Sequence, residues 1–212
     1  NIKKNLIIFS SHDSKIKESN INYNGELSIN PFDLRFNMDL ENYELFKLFD
    51  QDSIFAEFIK NKLFFNENIS INSSITLSPN ILETMYHTAK INLNIINGRI
   101  NLDHTKIINE KIGTLVLDNS NLFFKNDKLF FNTDIRINIQ NSNNLFTYLQ
   151  TVKKFRKPIK NIFINIEYFF LNKKIKFNNL LIDGLKVNNE ILTLIEEFND
   201  DDKKNLNKSK RI

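Results

Sequence analysis

Cysteine is absent from this chain, which excludes disulfides, thiolate nucleophiles and Cys-ligated metals. Glycine and proline are scarce, at 4 and 3 residues in 212. So few glycines argue against phosphate-cradling loops and nucleotide-binding folds, which need several close backbone approaches. No apolar run nears the ~20 residues that span a bilayer as a helix, and no signal peptide is visible. Charge of one sign is lacking too. The formal net charge is +4, with Lys and Asp/Glu interspersed. Nucleic acid is therefore not an expected partner, since its recognition needs a concentrated basic footprint. The chain begins with Asn rather than Met, so the expectation is a piece of something longer, with any anchor or export signal in the missing part.

Chemistry-bearing constellations are also missing. His12, His87 and His104 lack partners at metal-ligand spacing. Asp103 and His104 are adjacent, but neighbours on a strand face opposite ways and cannot chelate one ion. The run Asp200-Asp201-Asp202 reads as a solvated chain end rather than a cation site. No G-x-S-x-G elbow and no paired general acid and base occur. The expectation is a protein that is not an enzyme and carries no cofactor or metal.

What is present is apolar and alternating. The chain is 41% hydrophobic and 25% charged, with 20 Phe, a globular composition large enough to bury a core. The excess of Asn, Ile, Lys and Phe is what A- and T-rich codons produce, a reading preferred here to an asparagine ladder. Lys128–Gly184 is the organising stretch. In Lys128–Gln140, Leu129, Phe131, Ile135, Ile137 and Ile139 share one parity, with Thr133 their only polar member. Asn132, Asp134, Arg136 and Asn138 share the other, with Phe130 the main exception. Such a strand is oily on one side and roughly 40 Å long.

The same alternation predicts strands at Asn5–Ser10, at Ile21–Asn30 with Asn24-Gly25 as a turn or bulge, and at Phe32–Leu40 after Pro31. Ser11 to Asn20 reads as a polar loop. Leu45, Phe46 and Phe49, then Phe55, Phe58 and Ile59 after Asp52-Ser53, recur at helical spacing. A strand carrying Ile69, Ile71, Ile75 and Leu77 follows. Ser78-Pro79 opens a short helix with Leu82, Met85 and Tyr86 inward. Ile91, Leu93 and Ile95 lead through Asn97-Gly98 to Ile100 and Leu102, the strongest hairpin signal in the chain. Ile112–Leu117 and Leu122–Phe124 read as two strands split by Asp118-Asn119-Ser120, and Asn126-Asp127 as a turn.

Leu145, Tyr148, Leu149 and Val152 mark one helical face, ended by Lys153-Lys154-Phe155-Arg156-Lys157-Pro158. Those cations are either ordinary helix-end chemistry or an attraction for anionic head groups, at about 1 kcal/mol each. Ile162, Ile164, Ile166 and Tyr168 pair with Ile175, Phe177 and Leu180 or Ile182. Ile191, Leu194, Ile195 and Phe198 close with a helix. The fold class is therefore mainly β: a long twisted antiparallel meander, an open groove or half-barrel, with short amphipathic helices. Residues 1–198 form the β-rich domain and residues 199–212 a charged disordered tail.

Several of these pieces carry a family likeness. They are Ala89-Lys90-Ile91-Asn92-Leu93 leading to Asn97-Gly98-Arg99-Ile100, then Ile112-Gly113-Thr114-Leu115 and Asn121-Leu122-Phe123-Phe124. Leu129-Phe130-Phe131, Leu145-Phe146-Thr147-Tyr148-Leu149-Gln150, Arg156-Lys157-Pro158-Ile159-Lys160 and Ile182-Asp183-Gly184 continue it. Asn30-Pro31-Phe32-Asp33 agrees with it upstream. Together they resemble the C-terminal region of the AsmA-like proteins, relatives of the TamB- and YhdP-type lipid-transport proteins.

The resemblance implies a periplasmic, inner-membrane-anchored envelope protein whose β-sheet groove shields phospholipid tails, with an envelope-protein partner. The expected groove lining is Ile91, Leu93, Ile95, Leu129 and Phe131, continued by Ile135, Ile137, Ile162, Ile164 and Ile166. Lys153, Lys154, Arg156 and Lys157 are the expected head-group contacts. The alternative is a structural or protein-interaction module whose oily faces cover themselves, because periodicity alone does not distinguish a groove from a core.

Overall fold

The computed structural model describes residues 2–3, 5–16, 18–48, 53–79, 86–170 and 174–188. Its thirteen described strands form one sheet. The first half holds β1 (Ile2–Lys3), β2 (Leu6–Ile16), β3 (Ser19–Ile29), β4 (Phe32–Glu41), β5 (Ile69–Ser78) and β6 (Thr88–Ile96). The second holds β7 (Arg99–Asn101), β8 (Lys106–Asn109), β9 (Gly113–Lys125), β10 (Lys128–Ile139), β11 (Asn161–Phe169), β12 (Lys174–Ile182) and β13 (Leu185–Lys186). Spatial order follows chain order, except that β7 and β8 share one lane between β6 and β9.

The fold is mainly β, as the alternation predicts, but the meander is not wholly antiparallel. β4 and β5 run parallel, Phe32 beside Ile69 through Glu41 beside Ser78. A parallel pair cannot be joined by a tight turn, so the chain must return along the sheet. The chain between β4 and β5 makes that return; its described parts, residues 42–48 and 53–68, hold a 3-10 turn at Leu45–Leu48, helix α1 (Ile54–Lys60) and a second 3-10 turn at Leu63–Phe65.

Strand periodicity puts every apolar parity on one face. Ile7, Leu27, Leu34, Ile71, Ile95, Ile100, Leu122, Phe131, Tyr168 and Ile175 lie side by side across successive strands. A second row runs from Ile21 through Leu40, Leu77, Ala89, Ile107, Leu115, Ile137 and Ile162 to Ile182. On the opposite face Asn72, Asn94, Asn101, Asn121 and Asn132 form a row of asparagines. Phe130, the exception to the alternation, stands on that face between Phe123 (5.8 Å, stacked) and Phe169 (5.2 Å, edge-on).

Four local expectations are corrected. The polar segment 11–20 is not a loop: β2 runs on to Ile16, with a bulge between Ser11 and Ser14, and β3 begins at Ser19. Asn24-Gly25 is neither turn nor bulge but regular strand, with Gly25 paired to Phe9 and Phe36. A Cβ there would lie 2.5 Å from the Phe9 ring and from the Arg35 carbonyl, so the glycine makes room for its neighbours. Asp118-Asn119-Ser120 does not split two strands. It is a bulge within β9, with Asn119 at φ 50° and the register shifting opposite Thr133.

The fourth concerns helix α2 (Ser142–Tyr148), which ends before the basic cluster. Its one fully buried residue is Phe146, while Tyr148, Leu149 and Val152 of the expected inner face are exposed. The Asn97-Gly98 and Asn126-Asp127 hairpins form as expected, with positive φ at all four residues. The helix expected after Ser78-Pro79, the closing helix at 191–198 and the tail at 199–212 lie outside the described residues, apart from Tyr86, which is buried.

Candidate functional site

The described parts of the returning segment, residues 42–48 and 53–68, roof part of the apolar face. Ser53 caps α1, its Oγ accepting from the Ala56 N–H at 3.1 Å, as a helix-starting Ser does. Helical spacing then aims Phe55 and Phe58 at Phe64, with ring centroids 5.3 and 5.2 Å away. These rings, with Ile59 and Phe65, pack on Ile71, Leu93, Ile95, Ile100 and Leu122. At the sheet's other end Tyr43, Leu45 and Tyr86 pack over Ile21, Leu40, Leu77, Ala89 and Ile91. The Tyr86 hydroxyl accepts from the Leu45 N–H at 2.6 Å, holding the start of the roof down.

The far end of the roof is tied to the β9–β10 hairpin. Lys62 Nζ lies 2.8 Å from Asp127 Oδ1 and 4.8 Å from the centre of the Phe124 ring. Its hydrogen bond, and then its charge, hold the Asp127 carboxyl below the usual carboxylate range. Phe65 meets Phe124 edge-on at 4.7 Å, and the Asn97-Gly98 turn closes on the Phe65 carbonyl, where a Cβ on Gly98 would lie 2.6 Å from it.

Between α1 and the β9–β10 part of the sheet lies a cavity of about 460 Å³. Phe55, Ala56, Ile59 and Lys60 form its roof, and Leu102, Leu117, Leu122, Leu129, Phe131 and Phe170 its floor and sides. Among the described residues Lys60 is its only charged lining residue, and its ammonium pairs with Glu57 at 3.1 Å. The size falls within the ~300–1,000 Å³ of small-molecule sites. Among the described residues the cavity has no orienting polar group, so its lining chemistry suits apolar matter. A second depression, at residues 29–33, 67–70 and 96–97, mixes polar and apolar groups.

The expected groove residues divide into three groups. Ile91, Leu93 and Ile95 are 5%, 4% and 0% exposed beneath the roof, so they are core and leave the groove lining. Leu129 and Phe131 line the cavity. Ile135 and Ile137 continue the same face of β10, beside Ile164 and Ile162, with Ile166 opposite Thr133. Those five are half-buried and belong to neither buried cluster of the described residues. Sequence reasoning missed the roof residues Phe55, Ala56 and Ile59. Their helical spacing was visible, but not the strand pairing that lays them over the sheet.

The basic cluster also divides. Arg156 Nε donates to the Thr151 carbonyl at 2.9 Å and its Nη1 to Thr147 Oγ1 at 3.2 Å, so Arg156 is a clamp for its own loop. Lys153, Lys154 and Lys157 are exposed. No protein-family model matches the chain, and neither the curated proteins nor the solved structures yield a significant match. The AsmA-like reading therefore rests on strand and turn residues alone. Among the described residues no group of three or more His, Asp or Glu is placed to hold a metal ion, and no helix is long and apolar enough to cross a membrane.

Proposed function

We propose that this chain is a non-enzymatic lipid-binding segment of a bacterial envelope protein, holding an acyl chain under α1 and along β10. The cavity carries the reading, because it is roofed by the chain's own helix and its described lining is almost wholly carbon. Each methylene moved from water contributes about 0.8 kcal/mol, so about eight in the cavity give ~6 kcal/mol, a dissociation constant near 20–50 μM before ordering costs. Ile135, Ile137, Ile162, Ile164 and Ile166 extend the apolar track beyond the cavity. The location that goes with this reading is the periplasm, on an inner-membrane anchor supplied by sequence outside this chain.

Mass spectrometry of an organic extract of the purified chain tests it, alongside crosslinking with a photoactivatable fatty acid. Phospholipid in the extract and label on the β10 face are expected. Ile135→Asp with Ile137→Asp should abolish labelling while leaving the melting transition in place. A lipid-free protein that takes no label overturns the proposal. It would leave a self-covered structural module, the reading favoured by the sealed positions Ile91, Leu93 and Ile95. Unfolding of the double variant would place those two isoleucines in the core and remove them from the track.

A further inference from the structure

We propose that the α2 end of the sheet docks on an anionic lipid bilayer, entering it with Tyr148, Leu149, Val152 and Phe155. These side chains are 45%, 57%, 50% and 63% exposed, and they fall within eight consecutive residues. Scattered exposed hydrophobics need no explanation, but a cluster at one tip does. The cluster sits in a stretch of one charge. From residue 135 to residue 166 there is no Asp or Glu, against six cations, Arg136, Lys153, Lys154, Arg156, Lys157 and Lys160, of which Arg136 is paired with Asp118 on β9 at 3.2 Å.

The tip is held in shape rather than loose. Asn144 Nδ2 donates to the Lys111 carbonyl at 2.9 Å, fixing α2 to the turn before β9. Phe146 is buried, and the Arg156 clamp closes the loop on Thr147 and Thr151. Lys154 Nζ stands 4.8 Å from the centre of the Phe155 ring, a cation beside the aromatic that would lie at head-group level. Among the described residues, Glu18 and Glu41 lie at this end of the sheet on the distant strands β2 to β4, and two acids lie on the strand ends beside α2. Asp183 Oδ1 accepts from the Lys160 and Asn161 N–H groups at 2.8 and 2.7 Å, which turns its charge toward the backbone. Glu110 faces His87 at 4.0 Å.

A bilayer fits both halves of this surface. Anionic head groups attract the lysines, and the interface takes the apolar side chains that a polyanion such as RNA would leave in water. The surface lies beyond the end of the cavity: Leu117, which lines the cavity, pairs with Ile135, four residues and about 13 Å short of Ile139 on β10.

Co-sedimentation of the full 212-residue chain with vesicles tests the proposal. Binding is expected to vesicles of phosphatidylcholine with about one third phosphatidylglycerol, and not to phosphatidylcholine alone. Lys153→Gln, Lys154→Gln and Lys157→Gln together should weaken it roughly a hundredfold, at about one kcal/mol per cation. Leu149→Ser with Phe155→Ser should leave only a weak association that high salt removes, whereas the wild type keeps part of its binding. All five side chains are exposed, so circular-dichroism melting of both variants should match the wild type. Lipid recovered from the cavity should be unchanged, which separates this outcome from failure of the groove reading. A wild type that stays in the supernatant at low salt overturns the proposal. So does either variant sedimenting like the wild type, or single-stranded RNA displacing the chain from vesicles that the apolar variant still binds.

Discussion

Replacing Phe64 by Ala tests the roof on which the cavity depends. Phe64 is 8% exposed and meets Phe55 and Phe58 at 5.3 and 5.2 Å. Truncating a buried Phe costs about 3–5 kcal/mol through lost transfer energy and the void left behind. Both ring contacts fall in the range where aromatic pairs add about 0.5–1.5 kcal/mol beyond area. Because Phe64 is nearly fully buried, the upper half of the range applies, and about 4 kcal/mol is expected. A domain of this kind has roughly 5–15 kcal/mol in all, so the variant should fold but melt early. With a urea m-value of about 2 kcal/mol/M, the midpoint should fall by about 2 M. Phe155→Ala, at 63% exposed, is the control and should cost under about 0.5 kcal/mol. The fatty-acid label should also fall in Phe64→Ala at urea-free equilibrium, because α1 loses the ring that seats it. A Phe64→Ala loss below about 1 kcal/mol would refute the reasoning, since α1 would then not be packed on the sheet.

Two smaller perturbations address the ends of the same roof. Ser53→Ala removes the side-chain N-cap of a seven-residue helix and should cost about 1 kcal/mol by urea titration; an unchanged midpoint would mean that the α1 start does not depend on this cap. Asp127→Asn should lower the melting temperature at neutral pH but not in acid. The folded carboxyl titrates below its unfolded value, so its stabilisation is complete above the ordinary carboxylate range and disappears as pH falls through the folded value. A wild-type advantage that persists undiminished in strong acid would show that the Lys62 pair contributes nothing to folding.

The strands were legible wherever one face was buried, because burial forces a period of two. Phe32–Glu41, Ile69–Ser78 and Lys128–Ile139 fall where the alternation puts them. Illegible strands were those whose pairing, not side chains, holds them. Ser11 to Ile16 sits at the sheet's edge on polar residues, and its hydrogen bonds come from β3. Asp118-Asn119-Ser120 has turn composition because a bulge uses the same left-handed conformation as a turn. The parallel pairing of β4 and β5 left no local mark, since neighbours in space are not encoded in either strand alone. Two of the ten described lining residues were therefore readable, Leu129 and Phe131 on the floor, while the roof depended on that pairing. Around α2 the stripe Tyr148, Leu149 and Val152 misled for the opposite reason, as apolar periodicity predicts a covered face and this one is bare.

The parallel seam between β4 and β5 gives the molecule a replaceable part. Floor strands on either side of it are locked by ten continuous register partners, Phe32 to Glu41 against Ile69 to Ser78. Residues 42–68 merely have to travel back the length of that seam, and lengthening such a strap twofold costs only about 0.6 kcal/mol in chain entropy. Insertions or swaps there would reshape the chamber and change which guest it suits, while every ladder beneath stays as it was.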